Sequence, residues 1–234
     1  MKIENAVVLV TGANRGIGLT FARELLARGA RKVYAGARDP ATVTQAGVQA
    51  LQLDVIKPDD VAAAAQRASD VTLVINNAGI AQPGGFLAPD SEDVARRLFE
   101  TNFFAMLRMC QAFAPVLKAN GGGALLNVLS ISSWMNGGEL AAYAASKSAA
   151  WSLTNALRNE LAVQKTHVLA LHMAYVDTDL TRGLNAPKSS PELIVQRALD
   201  GLELGLDEVL ADELTQQVKR GMTATRPSYL PQRV

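Results

Sequence analysis

Residues 6–28 read AVVLVTGANRGIGLTFARELLAR. The first five, AVVLV, are a short apolar run suited to a strand buried on both faces of a parallel sheet. Thr11-Gly12-Ala13-Asn14-Arg15-Gly16-Ile17-Gly18 follows, and then an amphipathic stretch through Arg28. The order is strand, glycine-rich turn, helix. Gly12 permits the tight turn, Gly16 lets a pyrophosphate approach the backbone, and Gly18 allows close contact between helix and strand. A helix N-terminus adds free N–H groups and the positive end of a dipole, which suit phosphate. The glycine spacing is G-x-x-x-G-x-G, a variant of the general G-x-G-x-x-G fingerprint. Gly12, Asn14, Arg15, Gly16, Ile17 and Gly18 are therefore candidates to cradle a dinucleotide.

Strand and helix patterns continue to alternate beyond this unit. Strands are expected at 6–11, 32–36, 50–53, 72–76, 124–129 and 167–173, with a weaker one at 208–211. Helices are expected at 17–28, 41–46, 58–68, 90–118, 141–164, 191–204 and 212–221. Pro58 and Pro191 stand where helices begin, and Asp90 or Ser91 can cap the long one. Gly121-Gly122-Gly123 precedes a strand and reads as a turn. Such alternation predicts an α/β fold: a doubly wound parallel sheet of the Rossmann type, about seven strands, with helices on both faces. With 234 residues, one domain over 1–234 is expected, ending in a C-terminal tail at 222–234.

Composition removes several function classes. A formal net charge of +1 gives no electrostatic reason to expect nucleic acid or an anionic membrane as partner. The single cysteine, Cys110, excludes an intrachain disulfide and a cysteine-built metal site, and reads as a small packing residue. The N-terminus lacks the apolar length of a signal peptide, and no run is long enough to span a bilayer. The expectation is a cytoplasmic protein acting on a small molecule.

The chemistry concentrates in AYAASKSAA. Tyr143 and Lys147 are one helical turn apart and share a face. An ammonium beside a phenol favours the phenolate, so the Tyr143 pKa is expected to fall toward working pH and the phenol to serve as a general acid–base group. Ser130 lies thirteen residues before the tyrosine.

T-G-x-x-x-G-x-G, Asn76-Asn77-Ala78-Gly79, Asn102, Ser130, Tyr143 and Lys147 occur in this order, and with them the chain resembles the classical short-chain dehydrogenase/reductases. The likeness covers residues 5–180. It implies that Tyr143 exchanges a proton with the substrate oxygen and that Ser130 polarises that oxygen. Lys147 would tune Tyr143 and hold the nicotinamide ribose. Asn102 would hold a water for proton resupply. Asn77, Ala78 and Gly79 would lie against the adenosine part of the cofactor. Asp54 and Val55 would meet the adenine, although Asp54 can also be read as a turn cap.

The resemblance also bears on cofactor choice. An NAD enzyme usually ends its second strand with a carboxylate for the ribose 2′-hydroxyl. Here KVYAG is followed by Ala37-Arg38. Arg38 with Arg15 can clamp a 2′-phosphate, so NADP(H) is expected. Asp39 precedes Pro40 and reads as a helix cap.

Two departures stand out. The family's usual Pro-Gly after the sixth strand is replaced by Met173-Ala174, while Val176 and Thr178 remain to meet the nicotinamide carboxamide. The C-terminal part reads DEVLADELTQQVKR in place of a glycine-rich final strand. Trp134, Met135, Tyr175 and Leu184 are candidate pocket walls, with ordinary packing the competing reading. His167 and His172 read as packing residues. The expected activity is reversible, NADPH-dependent reduction of a ketone or aldehyde. The alternatives are an NAD-linked alcohol dehydrogenase and a non-catalytic NADP(H) sensor. The helices at 90–118 and 141–164 are expected to pair across a two-fold axis into a homodimer or homotetramer.

Overall fold

Seven parallel strands form one sheet in the computed structural model, which describes residues 1–230. They are β1 (Val7–Thr11), β2 (Lys32–Ala37), β3 (Gln49–Gln52), β4 (Leu73–Asn76), β5 (Ala124–Val128), β6 (His167–His172) and β7 (Glu208–Leu210), ordered β3-β2-β1-β4-β5-β6-β7. The order reverses between β1 and β4. In open α/β sheets, ligands sit in the crevice at the carboxyl ends of the strands flanking such a switch point.

The helices are α1 (Gly16–Ala27), α2 (Pro58–Arg67), α3 (Ser91–Phe99), α4 (Ala105–Ala119), α5 (Ala141–Ala162), α6 (Pro191–Leu204) and α7 (Glu213–Gly221). All five residues of β1 are buried. Val8 and Val10 join a core with Phe21 and Leu25 of α1 and Ile194, Ala198 and Leu202 of α6. Val7 and Leu9 point the other way, into a core with Val61 of α2, Met109 and Phe113 of α4 and Leu157 of α5. The period-2 side-chain alternation of one apolar strand thus feeds two cores, which is why its sequence shows no polar alternation.

Two expected helices differ from the sequence reading. Residues 41–46 contain only a 3-10 turn, Pro40–Thr42. Thr42, Val43 and Thr44 are β-branched and disfavour helix, and Gly47 turns the chain at φ +83°. Asp39 caps that turn, its Oδ1 accepting from the Ala41 N–H at 3.0 Å. The long helix at 90–118 is two helices joined by a π-helical segment, Glu100–Phe104. Asp90 precedes α3 but makes no side-chain cap bond. Pro58 and Pro191 do open α2 and α6. Among the described residues no helix is long and apolar enough to cross a membrane. Residues 231–234, the end of the expected tail, lie outside the described residues.

Candidate active site

The glycine-rich turn leaves β1 at its carboxyl end. Gly12 and Gly16 have φ of +64° and +54°, a left-handed backbone that favours glycine. A Cβ on Gly18 would lie 2.1 Å from the Gly12 carbonyl oxygen, so α1 and the turn touch at that point. Asn77 braces the turn from the neighbouring strand: its Nδ2 donates to the carbonyls of Thr11 and Gly12 at 2.9 and 3.2 Å. The N–H groups of Asn77 and Ala78 both donate to Thr11 Oγ1 at 2.9 Å. The turn is therefore fixed before any ligand arrives, and its narrow backbone fits a pyrophosphate at the N-terminus of α1. Thr178 faces it from beyond β6: a Cβ on Gly16 would sit 3.5 Å from the Thr178 methyl carbon.

The reactive side chains gather at the same end of the sheet, around β4 and β5. Tyr143 and Lys147 lie one turn apart on α5, with the ammonium 5.9 Å from the phenol ring centre. Lys147 is buried and donates to the Val128 carbonyl at 2.9 Å. Burial pushes its pKa down to about 8. Ser130, two residues past β5, is buried and close enough to Tyr143 to draw the phenol pKa downward. Its Oγ accepts from the Ser132 N–H at 3.1 Å, which leaves the O–H free to donate.

The expected lowering of the Tyr143 pKa does not hold. Burial raises it, and Ser130 only partly pulls it back. The physical reason is desolvation of the phenol; the Lys147 ammonium, which donates to the Val128 carbonyl, does not offset it.

Asn102 comes from the π-helical segment and is buried. Its Oδ1 accepts from the Ile80 N–H, and its Nδ2 donates to the Ile80 carbonyl, both at 2.9 Å, and to Ser146 Oγ at 3.0 Å. It ties the segment after β4 to α5. A Cβ on Gly79 would lie 3.2 Å from Asn102 Oδ1 and 3.7 Å from Lys147 Nζ, so three separate segments converge there.

The remaining predicted residues divide into those on the cleft and those taken up elsewhere. Arg38 is exposed at the end of β2, and its side chain has no hydrogen-bond or ion-pair partner among the described residues. Arg15 pairs with Asp179 at 3.3 Å across the cleft, both well exposed, and Asp179 also pairs with Arg182. Asn14 donates to Thr42 Oγ1 at 3.1 Å. Asp54 Oδ1 accepts from the Ile56 N–H at 3.3 Å, the turn-capping arrangement. Val55 is buried, and Arg108 donates to its carbonyl at 3.0 Å.

Val176 is buried and bridges to Ser189, closing a loop over residues 177–188. Tyr175 and Leu184 are exposed and Met135 half-buried. Trp134 is taken up by packing: it stacks on His172 at 4.0 Å and meets Trp151 edge-on at 6.2 Å. A cleft of about 550 Å³ lined by Asp177, Leu184, Lys188 and Glu192 adjoins the loop but contains none of the four reactive residues.

The replacement of Pro-Gly by Met173-Ala174 has a structural counterpart. The Ala174 N–H donates to Asp212 Oδ2 at 2.7 Å. Asp212 also caps α7 through Thr215, from whose N–H it accepts at 2.8 Å. The backbone after β6 is thus tethered by the C-terminal segment. Sequence reading missed Asp212, Thr11 and Ser146 as supports of the site. The motif S/T/D-x-x-T at 212–215 was a cap signal, but nothing local pointed to Ala174.

A doubly wound parallel sheet, a glycine-rich turn at its switch point and a Ser–Tyr–Lys group beside it define a dinucleotide-dependent oxidoreductase. The family model for short chain dehydrogenases matches residues 6–189, and the chain belongs to this short-chain dehydrogenase/reductase family. A 1-deoxy-11-beta-hydroxypentalenate dehydrogenase of Streptomyces avermitilis is 33% identical over 204 residues, covering 81% of this chain and 76% of that protein. A short chain dehydrogenase from Burkholderia cenocepacia, solved in complex with NADP, is 39% identical, with a TM-score of 0.93 over 97% of this chain and 96% of that one. A short-chain dehydrogenase from Sphingobium yanoikuyae in complex with NADPH is 26% identical, with a TM-score of 0.77 over 97% and 98%.

Proposed function

We propose that this chain is an NADPH-dependent carbonyl reductase acting on a ketone or aldehyde. The observation that carries the reading is the meeting of Ser130 with Tyr143, and of Lys147 one turn further along α5, at the same carboxyl end of the sheet as the glycine-rich turn.

Gly12, Asn14, Arg15, Gly16, Ile17 and Gly18 would hold the dinucleotide phosphates, with Asn77, Ala78, Gly79, Asp54 and Val55 along the adenosine side and Val176 and Thr178 at the carboxamide. Once bound, the cofactor supplies the hydride. The rest of the work belongs to the chain. Ser130 donates its O–H to the substrate carbonyl oxygen and fixes it beside Tyr143. Tyr143 gives its phenolic proton to that oxygen as the alcohol forms. A phenol kept protonated by burial suits the reducing direction, in which it acts as the acid. Lys147, partly charged near pH 8, supports the phenolate left behind and holds the ribose hydroxyls. Asn102 braces the wall behind Lys147 and, by the family resemblance, holds the water that restores the proton. The geometric constraint is much of the catalysis, since positioning alone can lower a barrier by about 7–11 kcal/mol.

Preference for the 2′-phosphate rests on charge. Ala37 stands where a ribose-binding carboxylate would be, and Asp39 is occupied by its own cap. Arg38 is unpaired. Arg15 is held only by an exposed ion pair, a contact usually worth about 0–1 kcal/mol, so it can turn to a phosphate. Similar chains solved with NADP and NADPH lend support. Tyr175, Leu184 and Met135 suit the apolar body of a small carbonyl compound. The chain acts as a homodimer or homotetramer.

The test is NADPH oxidation against a panel of aldehydes, ketones, diketones and quinones. Turnover is expected with NADPH well above NADH, absent in Tyr143→Phe, and with weaker NADPH binding in Arg38→Asp. NADPH binding without turnover on a broad panel would replace the reductase reading with that of a sensor.

A further inference from the structure

His172 ends β6 and is fully buried, and the reaction as proposed does not use it. An imidazole inside a sheet is costly unless its nitrogens are engaged. Here the ring meets neighbours on three sides. Nδ1 lies 3.1 Å from the Ser130 carbonyl oxygen. Nε2 lies 3.4 Å from Glu208 Oε1 without a hydrogen bond to it. The ring plane stacks on Trp134. Glu208 opens β7 and is gripped by Lys219 of α7, whose Nζ is 2.9 Å from one carboxylate oxygen and 3.1 Å from the other. That ammonium also lies over the rings of Trp134 and Trp151, at 4.4 and 5.7 Å from their centres.

The Ser130 carbonyl and the Glu208 carboxylate both only accept, and a neutral ring carries one proton; the 3.1 Å contact has hydrogen-bond geometry and the 3.4 Å one does not, which places the proton on Nδ1. His172 is then a donor aimed from the sheet at the backbone of Ser130. The neighbours of Ser130 are fixed by ladder bonds, Leu129 N–H to the Leu171 carbonyl and Ile131 N–H to the Met173 carbonyl, both 2.8 Å. The Ser130 carbonyl itself has two donors, the Ser133 N–H at 3.0 Å and His172. The first belongs to the single 3-10 turn Ile131–Ser133, a short element with poor hydrogen-bond geometry. The second is anchored in the core.

From this arrangement we infer that His172 is a positioning residue for the reaction: its Nδ1–H fixes the peptide that presents the Ser130 hydroxyl to Tyr143, and Trp134, with Lys219 over its own ring, holds the imidazole plane. Lys219 lies beyond residues 6–189, so the C-terminal part supports the Trp134–His172 stack from outside the stretch that matches the family model. The inference rests on the carbonyl-reductase reading above.

Steady-state kinetics with NADPH and the best carbonyl of the panel provide the test. His172→Leu removes the donor, while His172→Asn places an amide N–H where Nδ1 lies. Misplacement of a reacting group by about 1 Å can cost on the order of 100-fold in rate. His172→Leu is accordingly expected to lower kcat by on the order of 10- to 100-fold. Its KM for NADPH stays at the wild-type value, and His172→Asn recovers most of the loss. Equal kcat in the Leu and Asn variants, at matched NADPH affinity, would overturn the inference. If neither variant folds, 15N spectra of the wild-type protein with NADPH bound decide it. With two histidines in the chain, the His172 ring is readily assigned. A protonated Nδ1 supports the inference, and a tautomer carrying its only proton on Nε2 overturns it. Failure of the reductase reading appears differently, as a wild-type protein without turnover.

Discussion

Lys147 is the residue where folding and chemistry conflict. Its burial serves the site but disfavours its charge, and its pKa falls from an ordinary 10.5 to about 8. Between those values the unfolded chain holds a proton that the folded chain has released. Stability therefore rises with pH from about 8 upward. Tyr143 opposes this only above its ordinary value of 10, where the unfolded phenol ionises first. Urea midpoints measured from pH 7 to pH 10 should climb through the upper part of that range, and Lys147→Met should flatten the climb. Parallel curves for the wild type and Lys147→Met from pH 8 to pH 10 would show that Lys147 keeps an ordinary pKa. The same pair marks where sequence reading stopped. The one-turn spacing puts the two side chains together, but which acceptor the ammonium chooses depends on the Val128 carbonyl, nineteen residues away in the chain. Burial of the phenol then sets the direction for Tyr143, opposite to the one expected.

At the scale of elements, the π-helical segment between α3 and α4 bears most directly on the site. Without it, 90–118 would read as one continuous helix, which is how the apolar periodicity presents it. The π segment carries Asn102 against Ile80 and Ser146. Asn102→Ala would remove the partner of the part-buried Ile80 N–H and C=O and of the buried Ser146 hydroxyl, and a buried group left unsatisfied costs about 1–3 kcal/mol. A destabilisation of about 2–4 kcal/mol is expected by urea unfolding, with a larger loss of kcat than of NADPH affinity. A change below about 0.5 kcal/mol, the scale of an ordinary surface substitution, would mean the tie is not made.

Regular elements were legible where one local signal dominates: the apolar run of β1, Pro191 opening α6, the glycine turn before β5. Residues 41–46 were misjudged because β-branched side chains outweigh a weak helical pattern. The supports of the site were illegible for another reason. Thr11 with Asn77, Asp212 with Ala174 and His172 with Ser130 are each more than thirty-five residues apart, and only the sheet order brings them together.

For the whole molecule, the outstanding question is what α4 and α5 meet on their outer side. Ala141, Ala142 and Ala150 of α5 are buried within the protomer, so they do not form its outer face. The outward apolar surface lies at Phe104, 46% exposed, with Ala149 and Leu153 half-buried. Phe104 ends an aromatic series in which Phe99 meets Phe103 at 6.3 Å and Phe103 meets Phe104 at 5.0 Å, both edge-on. A stable interface needs about 1,200–2,000 Å² of total buried surface, which two helices per protomer across a two-fold axis can supply. Since the π segment carrying Phe104 also carries Asn102, a partner packed on this face would stiffen the wall behind Lys147. Light scattering at micromolar concentration should give twice or four times the protomer mass. Phe104→Glu, which sets two charges face to face at such an axis, should shift the distribution toward monomer and lower kcat with it. A wild-type protein that is monomeric yet fully active would remove both the assembly and its link to the site.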